Sequence, residues 1–156
     1  MPHAMNAVDG VRTYFEDAGG IGPPVLFYTG FADPLEVAKS SRLARALSRE
    51  FRLVFADHRG QGGSDKPHEP SAYALQIRVD DAIAVLDTLG IDQVHFIGAS
   101  ICAGEADEMH DAAKRAAGEI PGARFVSLAG HSHISAFYEA DDLLLPHILE
   151  FLRSPS

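Results

Sequence analysis

The chain is poor in cysteine and in basic residues, and each shortage excludes a class of protein. Its single cysteine, Cys102, rules out an internal disulfide, which fits the reducing conditions of the cytoplasm. Its 13 lysines and arginines stand against 22 aspartates and glutamates, so the formal net charge is −9. That charge would be repelled by nucleic acid and by anionic lipid. We therefore expect neither a nucleic acid nor a membrane as a partner.

Long apolar runs and internal repeats are also missing from the sequence, and we expect no secretory leader. No apolar stretch approaches the roughly 20 residues that span a bilayer, and residues 1–10 lack a basic start followed by an apolar run. What is present is an ordinary globular composition, with 156 residues of which 46% are hydrophobic. We expect one compact cytoplasmic domain over residues 1–156.

Strand and helix signals alternate along the chain, which predicts a mostly parallel sheet covered by helices in a three-layer α/β/α sandwich. A hairpin with a turn at Asp9-Gly10 opens it. Buried strands are predicted at residues 25–28, 53–56, 94–97 and 124–128, and helices at residues 35–49, 71–89, 109–119 and 140–152. The helix over 71–89 has an apolar stripe made of Leu75, Val79, Ala82, Ile83 and Leu86.

The loops that leave the carboxyl ends of these strands are the expected place for chemistry. Sheets of this kind bind their ligands beyond the carboxyl ends of the parallel strands. The segments concerned are residues 29–34, 57–67, 104–108 and 129–135.

Several of these segments carry motifs. Residues 57–67, Asp-His-Arg-Gly-Gln-Gly-Gly-Ser-Asp-Lys-Pro, resemble the Asp-x-Arg-Gly-x-Gly-x-Ser-Asp-x-Pro turn of the α/β-hydrolase family, which includes esterases, lipases, epoxide hydrolases and haloalkane dehalogenases. Residues 28–34 resemble the oxyanion loop of that family, residues 94–100 its nucleophile strand, and residues 118–137 its last strand and histidine loop. The resemblance implies a truncated α/β-hydrolase fold, without a lid and without the segment that normally follows the nucleophile.

The resemblance also implies a catalytic set. Ser100, Asp107 and His133 occur in the family order of nucleophile, acid and histidine. In that set the serine attacks, the histidine acts as general base and the aspartate orients it. The backbone amides of Phe31 and Ile101 would then form the oxyanion hole.

The sequence around Ser100 leaves two arrangements open. A nucleophile elbow needs Gly-x-Ser-x-Gly, but residues 98–102 read Gly-Ala-Ser-Ile-Cys and keep only the first glycine. With an elbow, Asp107 lies on a helix about two turns from Ser100 and cannot orient His133. With one continuous strand over residues 94–103, Asp107 falls beside His133, but Ser100 is buried below the edge of the sheet. Gly104 suits a strand end better than a helix interior and favours the second arrangement.

Each candidate residue also has a second interpretation. Glu105 is an alternative acid, and Asp107 could simply cap the following helix. His131 competes with His133 for the role of base, although His133 fits the family loop better. The His131-Ser132-His133 pattern has no companion ligands, and the glycines at 60–63 are not followed by the Gly-Lys-Ser/Thr of a phosphate loop. We expect no metal and no cofactor.

Together these observations predict a weak, serine-type hydrolase that acts on small carboxylic esters in an open, lidless site. The alternative is a non-catalytic remnant of the same fold that serves as a small-ligand or protein-interaction module. Removing the central segment would expose apolar surface, so a homodimer is expected as well.

Overall fold

A computed structural model describes residues 2–28, 35–98, 110–119, 125–131 and 141–154. The chain divides into two compact units, residues 1–98 and 99–156. In the described parts, none of the helices has the length and apolarity that crossing a bilayer requires.

The first unit is built on a mixed five-stranded sheet. Its strands are β1 (His3–Met5), β2 (Arg12–Gly19), β3 (Pro24–Tyr28), β4 (Arg52–Ala56) and β5 (His95–Gly98). They lie in the order β1-β2-β4-β3-β5. Strand β3 runs parallel to β4 and to β5, whereas β2 is antiparallel to β1 and to β4. The predicted N-terminal hairpin and the three apolar strands that follow it are confirmed.

Strands β3 and β4 form the centre of the core because both are apolar and buried from their second residue to their last. Val25, Leu26 and Val54 are fully buried. The rings of Phe27 and Phe55 stack with their centroids 5.2 Å apart. Continuous apolar runs are typical of strands that are covered on both faces, which is the situation found here.

The helix predicted over residues 35–49 is in fact two helices, α1 (Leu35–Ser40) and α2 (Arg42–Leu47). Ser41 separates them with an extended backbone, at φ −62° and ψ 153°. Its hydroxyl oxygen accepts the backbone N–H of Ala44 at 3.0 Å and so caps α2. Serine competes with a continuing helix through bonds of this kind, which explains the break.

The helix predicted over 71–89 begins later than expected: a short 3₁₀ turn (Pro70–Tyr73) precedes helix α3 (Leu75–Leu89), which ends at Gly90 as predicted. Its orientation differs from the prediction in part. Ala82 and Leu86 pack against the core, but Leu75, Val79 and Ile83 of the predicted stripe are exposed. The residues that α3 buries are Asp81 and Val85.

The second unit contains α4 (His110–Glu119) and α5 (Asp141–Arg153), both at their predicted places. The strand predicted over 124–128 is wrong for the described positions, since residues 125–128 form no strand. Leu128 is buried there in a small apolar cluster with Val126 and Leu144. Its carbonyl accepts the backbone N–H of His131 at 3.3 Å, so the segment enters a turn instead of a ladder.

Candidate active site

The parallel strands bring three chain segments to one edge of the sheet. Tyr28, Ala56 and Gly98 are the last residues of β3, β4 and β5, and Tyr28 pairs in register with the other two. The carboxyl ends of these strands therefore lie side by side. In sequence, Phe31 comes three residues after Tyr28, and Ser100 comes two residues after Gly98.

The predicted catalytic set falls outside the described residues. This holds for the nucleophile, the acid and its alternative, the base and the two oxyanion amides: Ser100, Asp107, Glu105, His133, Phe31 and Ile101. Their roles remain predictions, as does the continuous strand over 94–103, of which β5 is described only as far as Gly98.

The motif segment after β4 forms a tightly bonded turn. The Asp57 carboxylate is buried and accepts the backbone N–H of Gly63 at 2.8 Å. The Ser64 hydroxyl donates to the Asp57 carbonyl at 2.8 Å and accepts the backbone N–H of Tyr14, also at 2.8 Å. Gly62 has φ +46°, and a Cβ at that position would collide with the Asp57 carboxylate. Gly62 is thus explained by the turn itself, whereas a Cβ at Gly60 would meet the Tyr73 side chain and one at Gly63 the Tyr14 ring.

Arg59 anchors the turn to the rest of the unit. Its side chain is fully buried, and Nε and Nη2 both donate to the Asp81 carboxylate at 2.6 Å. Nη1 donates to Asp9 and to the Ala72 carbonyl, each at 2.7 Å, while the Asn6 amide donates to Asp81 at 2.7 Å. Hydrogen bonds from Arg59 lower the pKa of Asp9, and the bond to Asp81 raises the pKa of Arg59. This buried network joins the turn, the hairpin, the 3₁₀ turn and α3.

Tyr28 and His58 form a ring pair at the same edge of the sheet. Their ring centroids are 4.3 Å apart. Burial lowers the pKa of His58 to about 4, assisted by the positive charge of Arg78, so the imidazole is neutral near pH 7. Burial also raises the pKa of Tyr28, whose hydroxyl has no hydrogen-bond partner among the described residues.

Sequence reasoning missed this ring pair. His58 occupies a variable position of the motif, and the motif therefore gives it no role. The available signal was its place directly after Asp57, at the end of a buried strand. A neutral histidine at this edge can donate one hydrogen bond and accept another.

In the second unit, His131 follows a turn in which Gly130 has φ +75°. Its Nδ1 atom is buried and has no hydrogen-bond partner within the described part of the chain. This nitrogen can therefore form a hydrogen bond with a substrate or with another group. His131 therefore keeps its place as a candidate base beside His133.

No metal site is evident in the described segments, where no three His, Cys, Asp or Glu side chains cluster closely enough to share an ion.

Comparison with known proteins identifies the class to which this architecture belongs. The family described as alpha/beta hydrolase fold matches residues 23–104, which is more than half of the chain. The chain belongs to the α/β-hydrolase fold family, as its motifs predicted.

Individual relatives are hydrolases of several kinds. Epoxide hydrolase 1 of Siraitia grosvenorii is 36% identical over 96 residues, which are 62% of this chain and 30% of that protein. The structure of an N-acyl homoserine lactone degrading enzyme is 33% identical, with a TM-score of 0.52, over 62% of this chain and 35% of that one. The enol-lactonase from Burkholderia xenovorans LB400 has a TM-score of 0.80 over 98% of this chain and 100% of that one, at 18% identity, and this likeness shows the fold alone. The chain spans between 16% and 30% of the length of the curated relatives it matches.

Proposed function

We propose that this protein is a serine-type hydrolase that cleaves small carboxylic esters. Ser100 is the nucleophile, His133 the general base and Asp107 the acid that orients it, and the amides of Phe31 and Ile101 stabilise the oxyanion. The observation that carries the proposal is the shared register of Tyr28, Ala56 and Gly98, because the segments with Phe31 and Ser100 continue from this one edge.

A serine nucleophile favours ester substrates over the epoxides and fluoroacetate named for some of the relatives. Attack of a serine oxygen on an ester carbonyl gives an acyl-serine, which water can hydrolyse to release the acid. Attack of the same oxygen on an epoxide carbon or a fluorine-bearing carbon would give an ether, which water does not cleave under these conditions. Esters therefore fit Ser100, and the lactone-degrading relative, at 33% identity, acts on a cyclic ester.

Hydrolysis of p-nitrophenyl acetate tests the proposal. Wild-type protein should release p-nitrophenol faster than buffer, and Ser100→Ala should remove most of the enzymatic rate. Ser40→Ala is the matched control, because this serine donates only to the Val37 carbonyl one turn back in α1, and it should leave the rate unchanged. If Ser100→Ala keeps the wild-type rate, the serine mechanism fails.

The base is tested with a second pair of variants. His133→Ala should lose most of the activity and His131→Ala should keep it, since general-base help is worth about 10²–10⁴-fold. The reverse result would assign the base to His131, whose buried Nδ1 is free of described partners. If Ser100→Ala has no effect but a histidine variant does, an Asp107–histidine pair activates water directly. A rate that none of these variants changes would show that the proposed catalytic set is wrong, and a wild-type rate no faster than buffer would favour the non-catalytic module.

A further inference from the structure

The described part of the second unit contains a serine, a histidine and an aspartate in contact with one another, and none of them belongs to the predicted catalytic set. The Nε2 atom of His110, at the start of α4, is 3.0 Å from the hydroxyl oxygen of Ser127. The other ring nitrogen, Nδ1, is 3.4 Å from a carboxylate oxygen of Asp111. The serine thus contacts the histidine and the histidine contacts the aspartate, which is the arrangement that activates a hydroxyl nucleophile.

His110 is largely buried, whereas Ser127 is exposed to solvent. The side chain of His110 is only 14% exposed, and Phe125 packs against its ring edge-on at 5.3 Å between centroids. Ser127 itself is exposed. With the imidazole proton on Nδ1 facing Asp111, Nε2 is free to accept the serine proton.

We propose that Ser127, His110 and Asp111 form a second nucleophilic site, which takes activated acyl and phosphonyl groups. In the reaction the Ser127 oxygen bonds to the carbonyl carbon of an activated ester and its proton passes to Nε2 of His110. The bond to the leaving alcohol breaks and the alcohol takes that proton. Water then hydrolyses the acyl-serine with His110 as the base, so that acid and free serine result.

The distances set the expected strength of this site. The Ser127–His110 contact has the length of a good hydrogen bond, whereas the contact to Asp111 is long and its carboxylate is 84% exposed. Water screens such a carboxylate, so Asp111 contributes less than the histidine. Removing the histidine should cost most of the reactivity, and removing the aspartate a smaller part.

A fluorophosphonate probe tests the site in a Ser100→Ala background, where the Ser127 oxygen displaces fluoride from phosphorus. The peptide that contains Ser127 should become labelled, as seen by mass spectrometry. His110→Gln keeps a hydrogen-bonding side chain but cannot take the proton, and it should slow labelling at least about 10-fold. Asp111→Asn should slow it by less. Ser48, whose hydroxyl donates only to the Arg45 carbonyl, is the internal control and should stay unlabelled.

Two results would overturn the proposal. One is that Ser127 is labelled no more than the control residue Ser48. The other is labelling that proceeds equally fast in His110→Gln, because a merely structural His110–Ser127 bond would change the melting temperature and not the reactivity. Label on Ser100 in the wild-type protein is a separate outcome, so failure of this site and failure of the proposed esterase function remain distinguishable.

Discussion

Arg59 places a positive charge in the interior of the first unit. It is a fully buried cation that is held by two carboxylates and a carbonyl. The motif at 57–67 predicts a structural turn, and the structure shows what this arginine does in it: it neutralises Asp81, which is itself buried. Removing either partner would leave the other as an uncompensated charge in the interior.

Arg59→Met should therefore lower the free energy of unfolding by about 3–5 kcal/mol, the usual cost of breaking a buried ion pair from one side. Arg52→Met is the control, because Arg52 pairs with Asp17 at 2.7 Å near the surface, with both side chains about 30% exposed. That change should cost about 0–1 kcal/mol. Urea unfolding measures both values, and equal costs would contradict the anchoring role of Arg59.

His58 makes stability depend on pH in a defined direction. Its pKa is lowered from 6.5 to about 4 because its ring is buried against Tyr28. The folded state therefore favours the neutral ring. The resulting contribution of His58 to the free energy of unfolding is fully present above pH 6.5. It is lost as the pH falls from about 6.5 to about 4, where the unfolded chain binds a proton and the folded chain does not.

The variant His58→Phe keeps a ring but cannot titrate, and it should remove this pH dependence. Between pH 7.5 and pH 4, wild-type protein should lose up to about 3 kcal/mol more unfolding free energy than the variant, at about 1.36 kcal/mol per pKa unit. Thermal or urea unfolding across this range gives the comparison. Parallel pH curves for the two proteins would show that the ring is not held neutral.

At the scale of elements, the sequence was informative wherever one periodicity dominated. Residues 25–28 of β3 and 53–56 of β4 are unbroken apolar runs, and α4 and α5 have clear helical spacing, so the positions of these elements could be predicted. The face of α3 could not, because the bonds from Arg59 and Asn6 hold Asp81 inside and Val85 lies one turn further on the same face. Contacts between residues so far apart in sequence are not visible in a hydrophobic pattern.

The break between α1 and α2 had a local signal in Ser40-Ser41, which the apolar pattern of residues 35–49 outweighed. Since the Ser41 hydroxyl caps α2, Ser41→Ala should cost about 1 kcal/mol of unfolding free energy. Ser48→Ala, at the other end of the same helix and exposed, should cost clearly less. If the two changes have equal effects in urea unfolding, Ser41 does not act as the cap.

For the whole molecule, the family could be predicted from the sequence and is confirmed, and the motif at 57–67 lies directly after β4 as predicted. The catalytic set remains a prediction because the geometry of a triad depends on long-range contacts that no motif specifies. Ser100 shows the difficulty, since its neighbours fit both an elbow and a continuous strand.

The expected homodimer belongs to this scale too. Leu75, Val79 and Ile83 of α3 and Phe96 of β5 are exposed apolar residues that an association could cover. Sedimentation velocity at micromolar concentration should show a dimer, and the double change Val79→Asp with Ile83→Asp should weaken it. Ile21→Asp, in an exposed turn, should not. A clean monomer in the wild-type protein would refute the expectation.

The central claim is that Ser100 is an acylated nucleophile, and trapping the acyl-enzyme tests it most directly. Wild-type protein mixed with p-nitrophenyl acetate and quenched in acid after a short time should carry an acetyl group on the peptide that contains Ser100, as located by mass spectrometry. The His133→Ala variant should carry far less. Turnover of the ester with no acetyl group on Ser100 at any time of quenching would contradict the account.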